Sequence, residues 1–341
     1  MRLSRAIAVT AALAATTFTG VCGAQASNAA DANFDFDSPE QVASGLAFPW
    51  GLDFLPDGTA IFAERDSALI KTVTPGTSPR TVGQVPTVVP GGEGGLLGLA
   101  VSPGYATDGA VYVYFTAAGD NRVARLTLDD LTPQPIVTGI PKASIHNGGR
   151  LAFGPDGKLY ITTGDAAVRD NAQNPASLGG KILRVEPDGS VPADNPFPGS
   201  RVYTLGHRNV QGLDWTAAGE LYASELGQNT WDEVNRIVAG SNYGWPIVEG
   251  EGGDPGYVDP IVTWTTAEAS PSGAAVVGST MYVAALRGQR LWTVPLGGGA
   301  PVDVLNGTYG RVRSVAHGPD GWLWICTSNG SGDVLVRFPP V

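Results

Sequence analysis

The sequence predicts an all-β chain folded as a six-bladed β-propeller of four-stranded antiparallel blades. Three observations carry that reading. A hairpin motif, two apolar runs joined by a short turn, recurs six times along the chain. The copies stand roughly fifty residues apart, the length that four strands and their turns occupy. Outside the N-terminal leader, no stretch longer than about ten residues carries the 3.6-residue apolar periodicity of a helix. A pair of β-sandwiches or a barrel is the competing architecture, but neither demands a repeat of that length.

Taken in order, MRLSRAIAVTAALAATTFTGVCGAQA joins two arginines to a short apolar run and then Ala24-Gln25-Ala26. That is the pattern of a secretory signal cut after Ala26, so residues 1–26 are set apart from the fold. A lipoprotein anchor at Cys22 is disfavoured, because Val21 stands where such cleavage sites carry a small residue. Residues 27–44 read as an irregular lead-in and residues 45–341 as one propeller domain. The hairpin of LAFPWGLDFLPDGTAIFAER turns at Asp57-Gly58, GLLGLAVSPGYATDGAVYVYFTA at Asp108-Gly109, and GRLAFGPDGKLYITTGD at Asp156-Gly157. QGLDWTAAGELYASELG turns at Ala218-Gly219, AAVVGSTMYVAALRG at Gly278-Ser279 and RSVAHGPDGWLWICTSNG at Asp320-Gly321. Asp-Gly supplies the positive backbone angles of a tight two-residue connection. The longest material between hairpins, residues 166–205 and 226–272, is rich in Pro, Gly, Asn and Asp. It reads as long ordered loops, which on a rigid scaffold are where function sits.

The composition agrees. With 47 Gly and 26 Pro among 341 residues, and 43% hydrophobic against 16% charged residues, the chain is turn-rich yet able to bury a sizeable core. The net charge of −11, more negative still without Arg2 and Arg5, argues against nucleic acid as a partner. Cys22 leaves with the leader, so Cys326, in the strand-like run WLWICTSN, is a buried thiol with no intramolecular partner. No segment after the leader reaches the ~18 apolar residues of a membrane span. The reading is an exported protein, secreted or periplasmic, without an integral membrane span.

Few residues are equipped for general base chemistry. The three histidines are His146, His207 and His317. His146 and His207 precede hairpins in the polar segments HNGGR and GHRNVQG, where loop ends of successive blades project onto one face. His317 lies inside a hairpin and reads as structural. For any one histidine a hydrogen-bonded structural imidazole is the simpler reading, but His146 has Asp165 just past its hairpin to hold the ring in one tautomer. Arg208, beside Asn209, is placed to stabilise negative charge on a reacting oxygen. Arg311 and Arg313 stand two apart, on one face of a strand. They are either a surface ion-pairing couple or, with Arg208 and Arg287, a cluster for a multiply anionic ligand. SELGQNTWDEVNRIVAGSNYGWP holds Glu225, Asp232 and Glu233 among Gly and Asn, an oxygen-rich loop of the kind hard cations prefer. It lacks the spacing of a twelve-residue calcium loop, and no Cys or His pair has zinc-ligand spacing.

The ordered set GGEGGLLGLAVSPGY, IHNGGRLAFGPDGKLYITTGD, LGHRNVQGLDW, SELGQNTWDEVN, SNYGWP and YGRVRSV resembles the soluble pyrroloquinoline quinone (PQQ)-dependent sugar dehydrogenases, above all their shorter aldose sugar dehydrogenase branch. The likeness runs from about Leu46 to Arg337. It implies a six-bladed propeller that oxidises the anomeric carbon of an aldose to a lactone by hydride transfer to PQQ, and then passes electrons to an external acceptor. In that family the histidine of HNGGR is the base, here His146, assisted by the aspartate of TGD, here Asp165. The resemblance gives Arg208 and Asn209 to the quinone oxygens and Arg311 and Arg313 to the cofactor carboxylates. It gives the carbonyls of Gly227 and Gln228 to the calcium ion (Ca2+) that polarises the quinone, and Glu233 and Tyr243 to a second, structural calcium. Three positions depart from the glucose enzymes. Arg287 replaces a cofactor-contacting lysine, Glu93 stands where those enzymes carry an amide, and Gln228 replaces a proline. Long insertions of the dimeric glucose enzymes are absent, which favours a monomer. The rival readings are a metal-dependent propeller lactonase or hydrolase, whose ion would sit on side-chain carboxylates, and a non-catalytic binding propeller.

Overall fold

The structure, a computed structural model, describes residues 34–341. The leader, its cleavage site and Cys22 lie outside the described residues. Six four-stranded antiparallel sheets follow one another around an axis. Their innermost strands are Pro49–Phe54, Leu96–Val101, Leu151–Phe153, Val210–Trp215, Pro271–Val277 and Val312–His317, and each packs on the next to close a ring. Five blades are built from consecutive strands. The sixth takes its three inner strands from the C-terminal end and its outer strand, Glu40–Ala47, from the N-terminal end, paired with Ser331–Phe338. Residues 40–44 therefore belong to a blade and not to the irregular lead-in that the sequence suggested. Their pairing partner lies at the far end of the chain, and three register shifts blur their alternation. No helix among the described residues is long and apolar enough to cross a membrane.

All six sequence-read turns join the first and second strands of a blade, and the turn glycines Gly58, Gly109, Gly157, Gly219, Gly278 and Gly321 all have positive φ. The chemistry differs from the expectation in one respect. In the Asp57-Gly58 turn only the glycine is left-handed, and the N–H of Gly58 donates to the carbonyl of Leu55 at 2.9 Å. This is a type I turn closed by a glycine, with the Asp57 carboxylate accepting the N–H of Thr59 at 2.9 Å. Asp156 and Asp320 repeat that acceptance with the N–H groups of Lys158 and Trp322.

Strand direction alternates within a blade. All first-to-second turns therefore lie on one face of the ring, while second-to-third turns and blade-to-blade connections share the opposite face. The first face holds a cavity of about 320 Å³ at the channel mouth, lined by Asp53, Asp214, His317 and the buried Arg150. His317 is exposed there, on the face away from His146. Asp53 and Asp214 accept the N–H groups of Val101 and Val276 in the neighbouring blades, both at 2.7 Å.

Burial pushes both carboxyls up to about 6, against the lowering effect of those N–H donors. The folded values exceed the ordinary 3.8, so the native state retains protons that the unfolded chain has lost. The resulting stability is complete below the unfolded value and disappears as pH rises through about 6. We expect Asp53→Asn or Asp214→Asn to remove this slope, so that each variant gains on the parent by about 1–3 kcal/mol between pH 4 and pH 7. Urea unfolding at the two pH values checks this, and a pH-independent difference would refute it.

Candidate active site

The face opposite the hairpin turns gathers the residues that the sequence singled out, His317 excepted. His146 lies in the connection into the third blade with a left-handed φ of +57°, an unusual state for a residue with a side chain. It is held there because its N–H donates to Glu93 Oε2 at 2.9 Å and its carbonyl packs so closely on Gly164 that no Cβ fits between them. Its Nδ1 lies 2.7 Å from Asp165 Oδ1, and its Nε2 lies 2.8 Å from Arg208 Nη2. A guanidinium can only donate. Nε2 therefore accepts, and Nδ1 carries the proton and donates to Asp165.

Asp165 is fully buried. Burial alone would push its carboxyl up, but the hydrogen bonds from His146, Trp245 and Ala167 outweigh it and hold the group below the usual carboxylate range. Trp245 Nε1 donates to Asp165 Oδ2 at 2.9 Å, and its ring lies under the guanidinium of Arg208 at 5.6 Å. Sequence reasoning did not single out Trp245. The only available signal was an aromatic residue among glycines in SNYGWP, eighty positions from the aspartate that it holds.

Arg208 Nη1 donates to the carbonyl of Leu226 at 3.1 Å. Its backbone N–H is taken by Glu225, whose other oxygen meets His207 Nδ1 at 2.8 Å. His207 is fully buried, stacked on Tyr243 and bonded to Thr204 Oγ1, so its role is structural. Asn209 Oδ1 accepts the N–H of Gly148 at 3.0 Å and ties the GHRN segment to HNGGR. Behind the dyad, Lys181 is fully buried, and its ammonium donates to the carbonyls of Asn171, Ala172 and Gly179 at 2.6–3.0 Å, fixing the loop after Asp165.

The arginines are arranged differently from the simple alternation argument. A register irregularity between Val312 and Ser314 breaks the two-residue period. Arg313 is 6% exposed, whereas Arg311, just outside the strand, is exposed. Arg313 donates to Gln211 Oε1 and Ser272 Oγ and shares the Trp50 ring with Arg150, at 5.7 and 4.3 Å. Neither buried guanidinium has a carboxylate partner among the described residues. Burial, reinforced by the charges of Arg65 and Arg311, pushes Arg313 down to about 9. Arg287 sits in a turn of the fifth blade on the same face but is exposed, and Arg65, whose charge acts on Arg313, is ion-paired with Asp66 at 2.6 Å. The Nε atoms of Arg208 and Arg313 are buried without a hydrogen-bond partner. Two such orphaned donors, with no carboxylate on Arg313 or Arg150, fit a multiply anionic ligand with carbonyl and carboxylate oxygens.

Gly227 and Gln228 open a tight loop beside Arg208. Gly227 admits no side chain, since a Cβ there would fall on the carbonyl oxygen of Trp231. Glu233 and Tyr243 line one small cavity with Arg208, Glu225 and Glu249. Burial, and then the nearby Glu225 charge, push Glu233 up to about 7. The Tyr243 hydroxyl is committed elsewhere, donating to the Arg236 carbonyl and accepting from Val238. Among the described residues no three His, Cys, Asp or Glu side chains form a metal-holding group. An ion here would draw on backbone carbonyls beside the carboxylates of Glu225, Glu233 and Glu249, an oxygen-rich setting of the kind hard cations prefer, although the Arg208 guanidinium also lines it.

The chain is similar over most of its length to known proteins. The family model described as Glucose / Sorbosone dehydrogenase matches residues 46–337. The chain is 36% identical over 273 residues to quinoprotein glucose dehydrogenase B of Acinetobacter calcoaceticus, covering 68% of this chain and 56% of that protein. It is 29% identical to an aldose sugar dehydrogenase of Escherichia coli strain K12, covering 88% and 92% of the two chains. Among solved structures, the PQQ-bound form of aldose sugar dehydrogenase from Streptomyces coelicolor superposes with a TM-score of 0.84 at 48% identity, covering 88% of this chain and 98% of that one.

Buried charge without a counter-ion destabilises a fold. We expect Arg313→Met to raise the stability of the ligand-free protein by roughly 1–3 kcal/mol while abolishing any thermal stabilisation by an anionic ligand. Melting with and without ligand checks both halves.

Proposed function

The chain belongs to the glucose/sorbosone dehydrogenase family, and from that premise we propose that it is a quinoprotein oxidising the anomeric carbon of aldoses to lactones with PQQ as cofactor. The observation that best supports this is the dyad of His146 and Asp165 facing orphaned arginine donors. When bound, the quinone supplies the acceptor for the hydride, and calcium polarises it. Arg208, Asn209, Arg311 and Arg313 would hold the quinone, and the carbonyls of Gly227 and Gln228 would hold the calcium.

The reaction then asks three things of the chain. His146 Nε2 takes the proton of the anomeric hydroxyl, so Arg208 must yield that lone pair to the sugar. The Nδ1–H bond to Asp165 keeps the ring in the accepting tautomer, and the Asp165 carboxylate offsets the charge of the imidazolium that forms. Trp245 fixes the aspartate from its other oxygen. Glu93 accepts the His146 N–H through Oε2 and so orients the base, and its other oxygen is proposed as a cofactor contact. Arg287, exposed on the same face, is proposed as a further cofactor contact. Glu233 and Tyr243 enclose the proposed structural calcium, to which Tyr243 would offer its carbonyl rather than its hydroxyl. A monomer exported to the periplasm or medium, handing electrons to an external acceptor, completes the reading.

The hydrolase alternative needs an ion on side-chain carboxylates and gives no role to unpaired arginines. A purely binding propeller gives none to a buried dyad with a fixed tautomer. We expect the purified protein to reduce a dye only with aldose, calcium and PQQ together. His146→Ala should lower kcat by roughly 10²–10⁴-fold with quinone affinity retained, and turnover near the parent's would remove His146 from the role of base.

A further inference from the structure

We propose that Glu249 is a positioning residue that aims the Gly227 and Gln228 carbonyls at the cation. The inference rests on the reading above, in which those carbonyls hold calcium. A single oxygen of Glu249, Oε1, accepts the N–H groups of Gln228, Asn229, Thr230 and Trp231 at 2.6, 3.0, 3.1 and 3.3 Å. The preceding N–H, of Gly227, goes to Asp232 Oδ1 at 2.9 Å. Five consecutive N–H groups are thus drawn to two carboxylates.

In a planar trans peptide the N–H and C=O point in opposite directions. Each N–H drawn back to a carboxylate therefore turns the carbonyl of its own peptide the other way. The first peptide of the series bears this out. The N–H of Gly227 reaches Asp232, and the C=O of Leu226 reaches forward to Arg208 Nη1 at 3.1 Å. In the next two peptides the carbonyls of Gly227 and Gln228 accept no hydrogen bond among the described residues, and it is Glu249 that holds their N–H groups. A carboxylate on the N–H side also polarises the peptide and enriches the carbonyl oxygen in negative charge. Glu249 thus supplies both the direction and part of the basicity of two oxygens that it does not touch. The packing makes this possible, because the missing side chain of Gly227 lets the carbonyl of Trp231 close in. The turn is then tight enough for one oxygen to reach four donors.

The test uses the full mature chain, stripped of metal, as parent, Glu249→Gln and Glu249→Ala. Two quantities are read: calcium affinity by calorimetry, and metal-free hydrogen exchange of the amides at 228–231. We expect Glu249→Ala to weaken calcium binding roughly 10–100-fold and to speed exchange at those amides. Glu249→Gln, whose amide oxygen can still accept N–H groups, should fall between, and it serves if the alanine variant does not fold. Unchanged calcium affinity in both variants would overturn the proposal. So would equal loss in both with exchange slow in the glutamine variant, because Glu249 would then be a ligand itself. A parent that binds no calcium, with exchange still faster in Glu249→Ala, would overturn the carbonyl pair as a cation site and reduce Glu249 to loop packing.

Discussion

Six inner strands can converge on one axis only where something small stands at the closest approach. A Cβ at Gly51 would lie 2.7 Å from the Leu99 nitrogen in the next blade, and one at Gly273 would lie 2.7 Å from Ser314 Cα. Gly98 and Gly212 are confined in the same way against Gly149 and Ser272. The corresponding position of the third blade is not glycine but Arg150, which uses the space the glycines vacate. Its guanidinium donates to the Gln211 carbonyl and to Ser314 Oγ and stacks on Trp50. The packing constraint thus leads directly to an electrostatic one. The channel is filled by a buried cation with Arg313 near it, both over the Trp50 ring, in a chain whose net charge is −11. Acidic residues elsewhere make the chain negative, and this pair of buried arginines is the exception.

That division explains what could be read from the residues and what could not. The blades were legible because each hairpin turn is a local event. A glycine with positive φ between two apolar runs is written in a few adjacent letters. The dyad was legible for a related reason, since His146 and Asp165 flank one hairpin and a hairpin returns its ends to each other. Residues 40–44 were not, because a strand whose partner lies nearly three hundred positions away carries no local sign of it. Nor does spacing say which long side chain is buried, so Arg313 and the exposed Arg287 and Arg311 could not be told apart. The irregularity at Val312–Ser314 defeated the two-residue period where it was used. Trp245 and Glu249 act through contacts that only the assembled ring creates.

The site also shows how anions and cations serve as internal fasteners. Asp165, Asp232, Glu225 and Glu249 spend their oxygens on backbone and side-chain N–H groups. Lys181 does the converse, gathering three carbonyls with one ammonium. Loops with little apolar burial are thereby held rigid by charge-assisted hydrogen bonds, which are stronger than neutral ones. A rigid first layer is what a base with a fixed tautomer requires, because a ring free to turn would lose the orientation that its aspartate confers.

The outer strand Glu40–Ala47 has a consequence for how the ring is fastened. Its partner, Ser331–Phe338, lies nearly three hundred positions away, so this blade is complete only when two widely separated segments meet. The other five blades need only consecutive strands. The ring is thus clasped by one long-range pairing of strands, and neither segment can leave it without opening the circle.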